Sequence, residues 1–120
     1  MSLPAPHPLK EYHLTAYAAQ IGATPAAAFV AVPKKGRIVK IMGVQSAAVT
    51  GTSAIAVAIN GGAAIASAAL AMTGGGAGTE FSAAVNSTDA ADVNEDDVIS
   101  FTPSGATGSA TATFVAVIRT

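Results

Sequence analysis

The chain has 120 residues, of which 51% are hydrophobic and 11% charged, and its net charge at pH 7 is −1. This length suits one domain, and the small net charge excludes both a chain held open by self-repulsion and a strongly basic nucleic-acid-binding protein. Because 29 residues are alanine and none is cysteine, we expect a thin core that has neither a disulfide nor a thiolate metal site to support it. Oligomerisation commonly compensates for a thin core, so we expect an oligomer, with a loosely packed monomer as the alternative.

The first ten residues are predicted to form an extended arm. Pro4, Pro6 and Pro8 stand at alternating positions, which excludes a helix and favours polyproline-like backbone. The segment has no charged start followed by an apolar run, so it does not resemble a secretory signal. We predict an arm over residues 1–10, either disordered or lying on a neighbouring subunit or a partner, and one domain over residues 11–120.

About eight short strands are predicted after the arm, because β-branched residues, glycine and period-two patterning outweigh the helical propensity of alanine. The predicted strands are Tyr12–Ile21, Ala28–Val32, Arg37–Val44, Ala54–Asn60, Glu80–Val85, Asp97–Thr102 and Ala112–Arg119, with one or two return strands or a short helix within Ala63–Met72. The pair Asn60-Gly61 predicts a type I′ hairpin turn, and Pro103-Ser104-Gly105 is expected to separate the last two strands. The predicted fold class is all-β, a single antiparallel β-sandwich or jelly roll.

The fourth strand alternates large and small apolar residues. Ile55, Val57 and Ile59 are expected to face the core, which directs the alanines to the outside, where a soluble monomer usually has charged residues. No charge occurs between Lys40 and Glu80, but glycines, Asn60 and many hydroxyl residues exclude a membrane span. We therefore predict that the outward alanines form an oligomer interface; they are Ala54, Ala56 and Ala58.

No catalytic or metal-binding constellation is recognisable. The glycine run Thr73–Gly78 lacks the Gly-Lys-Ser/Thr of a P-loop. The acidic run that starts at Asp92 has Asp97 where an EF-hand requires glycine and Pro103 where it requires glutamate, which leaves a solvated turn or a looser calcium site. His7 and His13 are too few for a metal site or a hydrolytic triad. We expect neither enzyme activity nor a cofactor.

Charge is segregated along the chain. Four of the six basic residues lie between Lys34 and Lys40, and six of the seven acidic residues lie between Glu80 and Asp97. Besides two solvated loops, this pattern suggests a domain with one end suited to an acidic surface and the other to a basic one. Nucleic acid is not expected as a partner, because the basic cluster is short and no aromatic residue lies within it.

The order of these features is similar to that of small decoration, or cement, proteins of tailed-bacteriophage capsids. The similarity extends roughly from Ala26 to Arg119 and includes the run Pro33–Ile41, the loop Val49–Thr52, the Ile-Asn-Gly hairpin, a glycine-rich loop and the closing strand Thr113–Ile118. One departure is Glu95-Asp96-Asp97, where such chains are expected to have a glycine.

The resemblance implies a non-enzymatic protein made in the host cytoplasm and located on the outer surface of the virion. It implies a homotrimer that bridges major capsid subunits and stabilises the head against the pressure of packaged DNA, with neither nucleic acid nor membrane as a partner. The candidate capsid-binding residues lie in the arm Ser2–Lys10 and in the basic cluster; they are Pro4, Pro6, His7, Pro8, Lys10, Lys34, Lys35, Arg37 and Lys40. The alternative is a carbohydrate- or receptor-binding β-sandwich module of a tail fibre or cell surface, which the absence of tryptophan disfavours.

Overall fold

The structure, a computed structural model, describes residues 11–72 and 76–120. It contains eight strands and one short 3₁₀ turn, Ala66–Ala68. The strands are β1 (Glu11–Ala18), β2 (Ala28–Ala31), β3 (Gly36–Gln45), β4 (Thr50–Ile59), β5 (Glu80–Ala84), β6 (Asp92–Val93), β7 (Val98–Thr107) and β8 (Ala112–Arg119). The predicted arm over residues 1–10 lies outside the described residues. Among the described residues, no helix is long and apolar enough to cross a membrane.

The strands form two antiparallel sheets that pack as a β-sandwich, which confirms the predicted fold class. The larger sheet has the order β1-β8-β3-β5, and β6 also pairs with β3; the smaller sheet has the order β2-β7-β4. In each sheet a strand from the end of the chain, β8 or β7, is inserted between two strands from its first half. This arrangement is the nested pairing of a jelly roll.

The core lies between the sheets and is built from the alternate residues of each strand. Phe101 of β7 and Phe114 of β8 stack across the sandwich with ring centroids 5.0 Å apart and an interplanar angle of 4°. Ile55 and Val57 are fully buried, as their period-two pattern predicts. The two phenylalanines supply bulk that the many alanines lack.

The predicted type I′ turn at Asn60-Gly61 is confirmed. Asn60 has a φ of 54° and Gly61 a φ of 72°, and the N–H of Gly62 donates to the carbonyl of Ile59 over 3.0 Å. Two positive φ values in succession are the requirement of a type I′ turn.

Of the two alternatives predicted for Ala63–Met72, the structure has a short helix, the 3₁₀ turn Ala66–Ala68, and no regular return strand. The N–H of Ile65 donates to the carbonyl of Val57, and Leu70 pairs with Ile55 through an isolated bridge, with the 3₁₀ turn between them. The side chain of Asp89 accepts a hydrogen bond from the N–H of Ser67, which holds this turn. This edge of β4 therefore has isolated hydrogen bonds instead of a regular ladder, and the turn beside it is held by Asp89 from a distant loop.

The prediction that Pro103-Ser104-Gly105 separates the last two strands is wrong, since β7 continues through these residues to Thr107. Pro103 lies opposite Ile55, whose backbone N–H and C=O bond Leu70 on the far side of β4. The nitrogen of Pro103 therefore points away from β4, and β2 pairs with β7 only as far as Phe101 on that side. Because proline loses no ladder hydrogen bond at this position, the strand tolerates it.

Candidate binding surfaces

The outer face of the smaller sheet is uncharged. It contains alternate residues of three strands, and the register places Ala54 opposite Ser104, Ala56 opposite Thr102 and Ala58 opposite Ser100. We call this surface the neutral face; its residues are Phe29, Ala31, Ala54, Ala56, Ala58, Val98, Ser100, Thr102 and Ser104. Apart from Phe29 and Val98, these side chains are small, so another protein can approach the backbone closely.

The three predicted interface alanines all lie on the neutral face, but they differ in exposure. Ala54 is exposed, whereas Ala56 and Ala58 are half-buried. The Ser100 hydroxyl donates a 3.4 Å hydrogen bond to the carbonyl of Ala58, so this polar side chain is satisfied within the sheet. The alternation along β4 therefore predicted the correct face.

Two large apolar side chains on the neutral face were missed by the sequence analysis. Phe29 is 65% exposed at the edge strand β2, and Val98 on the neighbouring strand β7 is 37% exposed. The burial of Ala28 and the half-burial of Val30 on either side of Phe29 show the alternation of a half-buried strand. The sequence itself contains no such signal, because Ala28–Val32 is apolar throughout and does not alternate.

The basic cluster lines two depressions that share Arg37. Lys40 lies at the rim of a depression of about 720 Å³ on the outer face of the larger sheet, beside Val117, whereas Lys34 and Lys35 line the other depression, of about 640 Å³, beside Thr120. All three lysines are exposed. The bulge in β3 between Ile38 and Lys40 lies between Lys40 and the other two lysines.

Arg37, the fourth basic residue of the cluster, has structural contacts. Its Nη2 donates to the carbonyl of Asn86 over 2.6 Å and to the carbonyl of Asp89 over 2.8 Å, and its Nη1 lies 3.4 Å from Oδ1 of Asp92. The guanidinium therefore holds the loop between β5 and β6 against β3. A planar group with several donors can satisfy two carbonyls at once, which an ammonium does less well.

The predicted separation of basic and acidic ends is wrong. β6 pairs with the start of β3, so Asp92 lies directly opposite Arg37, within the depression that Lys34 and Lys35 line. Only Glu80 is carried to the other end of β3, where it lies opposite Val44. Pairing between distant strands has brought most of the two charged stretches together.

The acidic turn before β7 is stabilised by its own side chains. Hydrogen bonds from the N–H of Asn94 and from the side chain of Asn60 hold the pKa of Asp97 below its usual value. Asp96 has a φ of 73°, so it occupies the left-handed conformation for which a glycine was expected at this turn. Aspartate is one of the residues that tolerate this conformation.

The carboxylate of Asp89, in the loop that Arg37 holds, is also stabilised by hydrogen bonds. The hydroxyl and N–H of Ser67 donate to the Asp89 carboxylate and lower its pKa, and the Arg37 charge contributes to the same shift. The Ser67 hydroxyl in turn accepts a hydrogen bond from the N–H of Asn86 over 2.8 Å. Asp89 therefore supports the loop rather than presenting a free anion.

Within the part of the chain that the structure describes, His13 and the acidic stretch do not belong to a cluster that could hold a metal ion. No three histidine, aspartate or glutamate side chains come together there at a spacing that could hold a metal ion. His13 is exposed on β1, while His7 lies outside the described residues together with Pro4, Pro6, Pro8 and Lys10.

The outer face of the larger sheet has an ion pair at one end, whereas the other end has exposed Tyr17 and Val44 beside Thr113 and Glu80. In the ion pair, Nη2 of Arg119 lies 2.6 Å from Oε2 of Glu11. At the other end, Tyr17 is 62% exposed and Val44 is 41% exposed, and both residues flank Thr113 of β8. The exposed aromatic residues Tyr17 and Phe29 thus lie on different sheets and do not form a common platform.

Comparison with known proteins shows structural similarity to solved β-sandwich proteins but does not show a family for the chain. No protein-family model matches the chain, and no curated protein matches it in sequence. One similar solved structure is "Carbohydrate-Binding Module CBM36 in complex with calcium and xylotriose", with 17% identity, a TM-score of 0.51 and coverage of 83% of this chain and 76% of that chain. Another is a chain of "Cyanophage Pam1 capsid asymmetric unit", with 12% identity, a TM-score of 0.51 and coverage of 99% of this chain and 93% of that chain. At such identities the similarity shows a shared β-sandwich fold.

Proposed function

We propose that the chain is a non-enzymatic decoration protein that binds the outside of a phage head. In this role it bridges neighbouring major capsid subunits and stabilises the shell against internal DNA pressure. The similarity to a chain of the cyanophage Pam1 capsid supports the proposal, because it extends over 99% of this chain and 93% of that chain. A capsid-associated chain of almost the same extent therefore has this fold.

The observation that carries the proposal is the neutral face. A free soluble domain usually covers a sheet face with charged side chains, but this face has none and exposes Phe29 and Val98. Such a surface is suited to contact with another protein. On a symmetric shell many weak contacts of this kind act together and give a large total affinity.

The proposed contacts with the major capsid protein come from the exposed lysines. Lys34, Lys35 and Lys40 are available to an acidic capsid surface, whereas the guanidinium of Arg37 is occupied by the loop between β5 and β6. The clasp formed by the arm Ser2–Lys10 stays a prediction. We propose a homotrimer for the assembled state, with Ala54, Ala56 and Ala58 in its interface.

Co-sedimentation with purified empty capsids of the cognate major capsid protein tests this function. We expect the full-length chain to pellet with capsids at a fixed stoichiometry and to raise the temperature at which they disassemble. A chain that remains in the supernatant at every concentration would contradict the proposal. The molar mass of the isolated protein, measured by light scattering, tests the trimer separately.

The second candidate is a carbohydrate-binding module, which the similarity to the CBM36 structure favours. That structure was determined with calcium and xylotriose, whereas the described residues of this chain hold no cluster of three potential metal ligands. Isothermal titration with xylotriose, with and without calcium, and a glycan array test this alternative. Specific sugar binding combined with no capsid binding would replace the first proposal by the second.

A further inference from the structure

The outer edge of β1 is open. Along its other edge β1 pairs with β8 over eight residues, from Glu11 opposite Arg119 to Ala18 opposite Ala112. Among the described residues, no backbone hydrogen bond joins the outer edge of β1 to another strand. An edge of this kind presents N–H and C=O groups that an added strand can pair with.

The register shows which residues of β1 present their backbone to the open edge. The N–H of Ser46 donates to the carbonyl of Thr111 over 2.9 Å, so the odd-numbered residues of β8 bond towards β3. Consecutive residues of a strand bond to opposite sides, so the even-numbered residues of β8 bond towards β1. Since Leu14 lies opposite Ala116, the even-numbered residues of β1 complete that ladder. The odd-numbered residues remain for the open edge; they are Glu11, His13, Thr15 and Tyr17.

The prolines of the arm follow the complementary pattern. Pro4, Pro6 and Pro8 are all even-numbered, so in an extended strand all the missing N–H donors fall on one edge. The opposite edge keeps every donor; these belong to Leu3, Ala5, His7 and Leu9. A strand with this composition can pair on one side only, and it cannot propagate a sheet on the other.

We propose that residues 2–9 of one copy pair as a strand with the open edge of β1 in a neighbouring copy. The arm is as long as the edge, and the donors it keeps can meet the acceptors that the odd-numbered residues of β1 present. Each copy donates one arm and accepts one, so the contact is head-to-tail and forms a ring of copies where its rotation closes. The contact is between copies of this chain and does not depend on binding to a capsid.

The neighbouring copy is favoured over the same copy by the junction between arm and strand. β1 begins at Glu11, directly after Leu9-Lys10, and a tight hairpin requires residues that readily adopt a positive φ, such as Asn-Gly. Leu9-Lys10 does not have this character, which disfavours a hairpin back onto its own β1 and favours an edge on another molecule.

Among the described residues, no strand covers the open edge, although the Tyr12 hydroxyl donates to the carbonyl of Lys34 beside its first residues. A depression of about 450 Å³ lies beside its first residues and is lined by Glu11, Tyr12, His13, Leu14, Pro33, Lys34 and Thr120. Further along, Thr15 and Tyr17 are exposed, and the register with β8 has no bulge. From Leu14 to Ala18 the edge also lacks the charges and prolines that commonly prevent strand addition.

Proline substitutions in the full-length chain test the proposal. Ala5→Pro removes a donor from the pairing side of the arm, and we expect it to raise the dissociation constant of the oligomer about tenfold or more. Ser2→Pro adds a proline at an even-numbered position and is the matched control, with an expected change of less than about twofold. Thr15→Pro removes a donor from the open edge without touching the ladder to β8, and Thr15→Val is its control. Light scattering and sedimentation measure the mass, and thermal unfolding verifies that each variant is folded.

Amide hydrogen exchange gives a second measurement. The amides of His13, Thr15 and Tyr17 are expected to be protected in the full-length oligomer and to exchange rapidly after deletion of residues 2–10. The proposal is overturned if these amides exchange rapidly in the full-length protein, or if Ala5→Pro leaves the dissociation constant of the oligomer, measured by dilution, unchanged. It is also overturned if the deletion abolishes capsid binding but leaves the mass unchanged, because the arm then acts as a capsid clasp.

Discussion

The side-chain Nδ2 of Asn60 donates a 2.9 Å hydrogen bond to Oδ1 of Asp97, which joins the hairpin turn after β4 to the turn before β7. The Asn60 Oδ1 also accepts a hydrogen bond from the N–H of Val98 over 2.8 Å. One asparagine thus adopts a positive φ for its own turn and anchors a second turn that is distant in sequence. Together these contacts set the end of the smaller sheet where β4 and β7 meet.

This relationship makes stability depend on pH. The pKa of Asp97 is lowered in the folded state, so its contribution to stability is present above the unfolded pKa of about 3.9 and is lost as the pH falls through the folded pKa. We expect the melting temperature of Asp97→Asn to be lower than that of the parent protein at pH 7 and to approach it at pH 3. Differential scanning calorimetry across this range measures the difference.

The control for this prediction is Glu95→Gln, which removes one negative charge from an exposed residue of the same turn. It is expected to leave the difference between pH 7 and pH 3 unchanged. If Asp97→Asn and Glu95→Gln behave alike, net charge rather than the hydrogen bonds of Asp97 determines the effect.

Arg37→Lys is expected to destabilise the fold although it keeps the charge. The substitution removes the geometry that satisfies the carbonyls of Asn86 and Asp89 together, at a cost of about 1–3 kcal/mol. Denaturant unfolding measures this loss. The matched control is Lys35→Arg, which makes the reverse change at an exposed position and is expected to alter stability by less than about 0.5 kcal/mol. An Arg37→Lys variant as stable as the parent would show that the two carbonyl contacts contribute little.

Ala56→Glu or Ala58→Glu is expected to weaken assembly more than folding. A glutamate on the neutral face must lose its hydration when another protein covers it, whereas in the free monomer it projects towards solvent. Light scattering measures the oligomer mass, and thermal unfolding at a low protein concentration measures the fold. Ala63→Glu adds the same charge at an exposed position outside this face and is the control. An unchanged mass for Ala56→Glu and Ala58→Glu would favour a monomer without a contact on this surface.

Replacement of Lys34, Lys35 and Lys40 by glutamine is expected to weaken capsid binding without changing the fold. Their side chains are exposed, so surface substitutions should change stability by less than about 0.5 kcal/mol each. Loss of complementary charge mainly slows association, and the difference from the parent protein should shrink at high salt. Co-sedimentation with capsids at low and high salt measures both effects. Equal binding of the parent and the triple variant at low salt would exclude the lysines from the contact.

The local pattern of the chain was sufficient for a large part of the fold. Period-two alternation predicted β8 at the bounds Ala112–Arg119 and the inward face of β4, because side-chain direction in a strand depends only on residue parity. Asn60-Gly61 determined a type I′ turn by itself, since few residues adopt positive φ at two successive positions. These features depend on neighbouring residues, and a sequence displays them directly.

Only the tertiary structure determined which segments that are distant in sequence contact one another. Nothing near Pro103 in sequence indicates that its nitrogen faces the side of β7 where β2 no longer pairs, and nothing near Arg37 indicates that it holds a loop some fifty residues away. The same is true of Asp92, which β6 brings beside the basic cluster. Each depends on which strands pair and in what register, and that choice follows from burial of the whole core rather than from any local propensity.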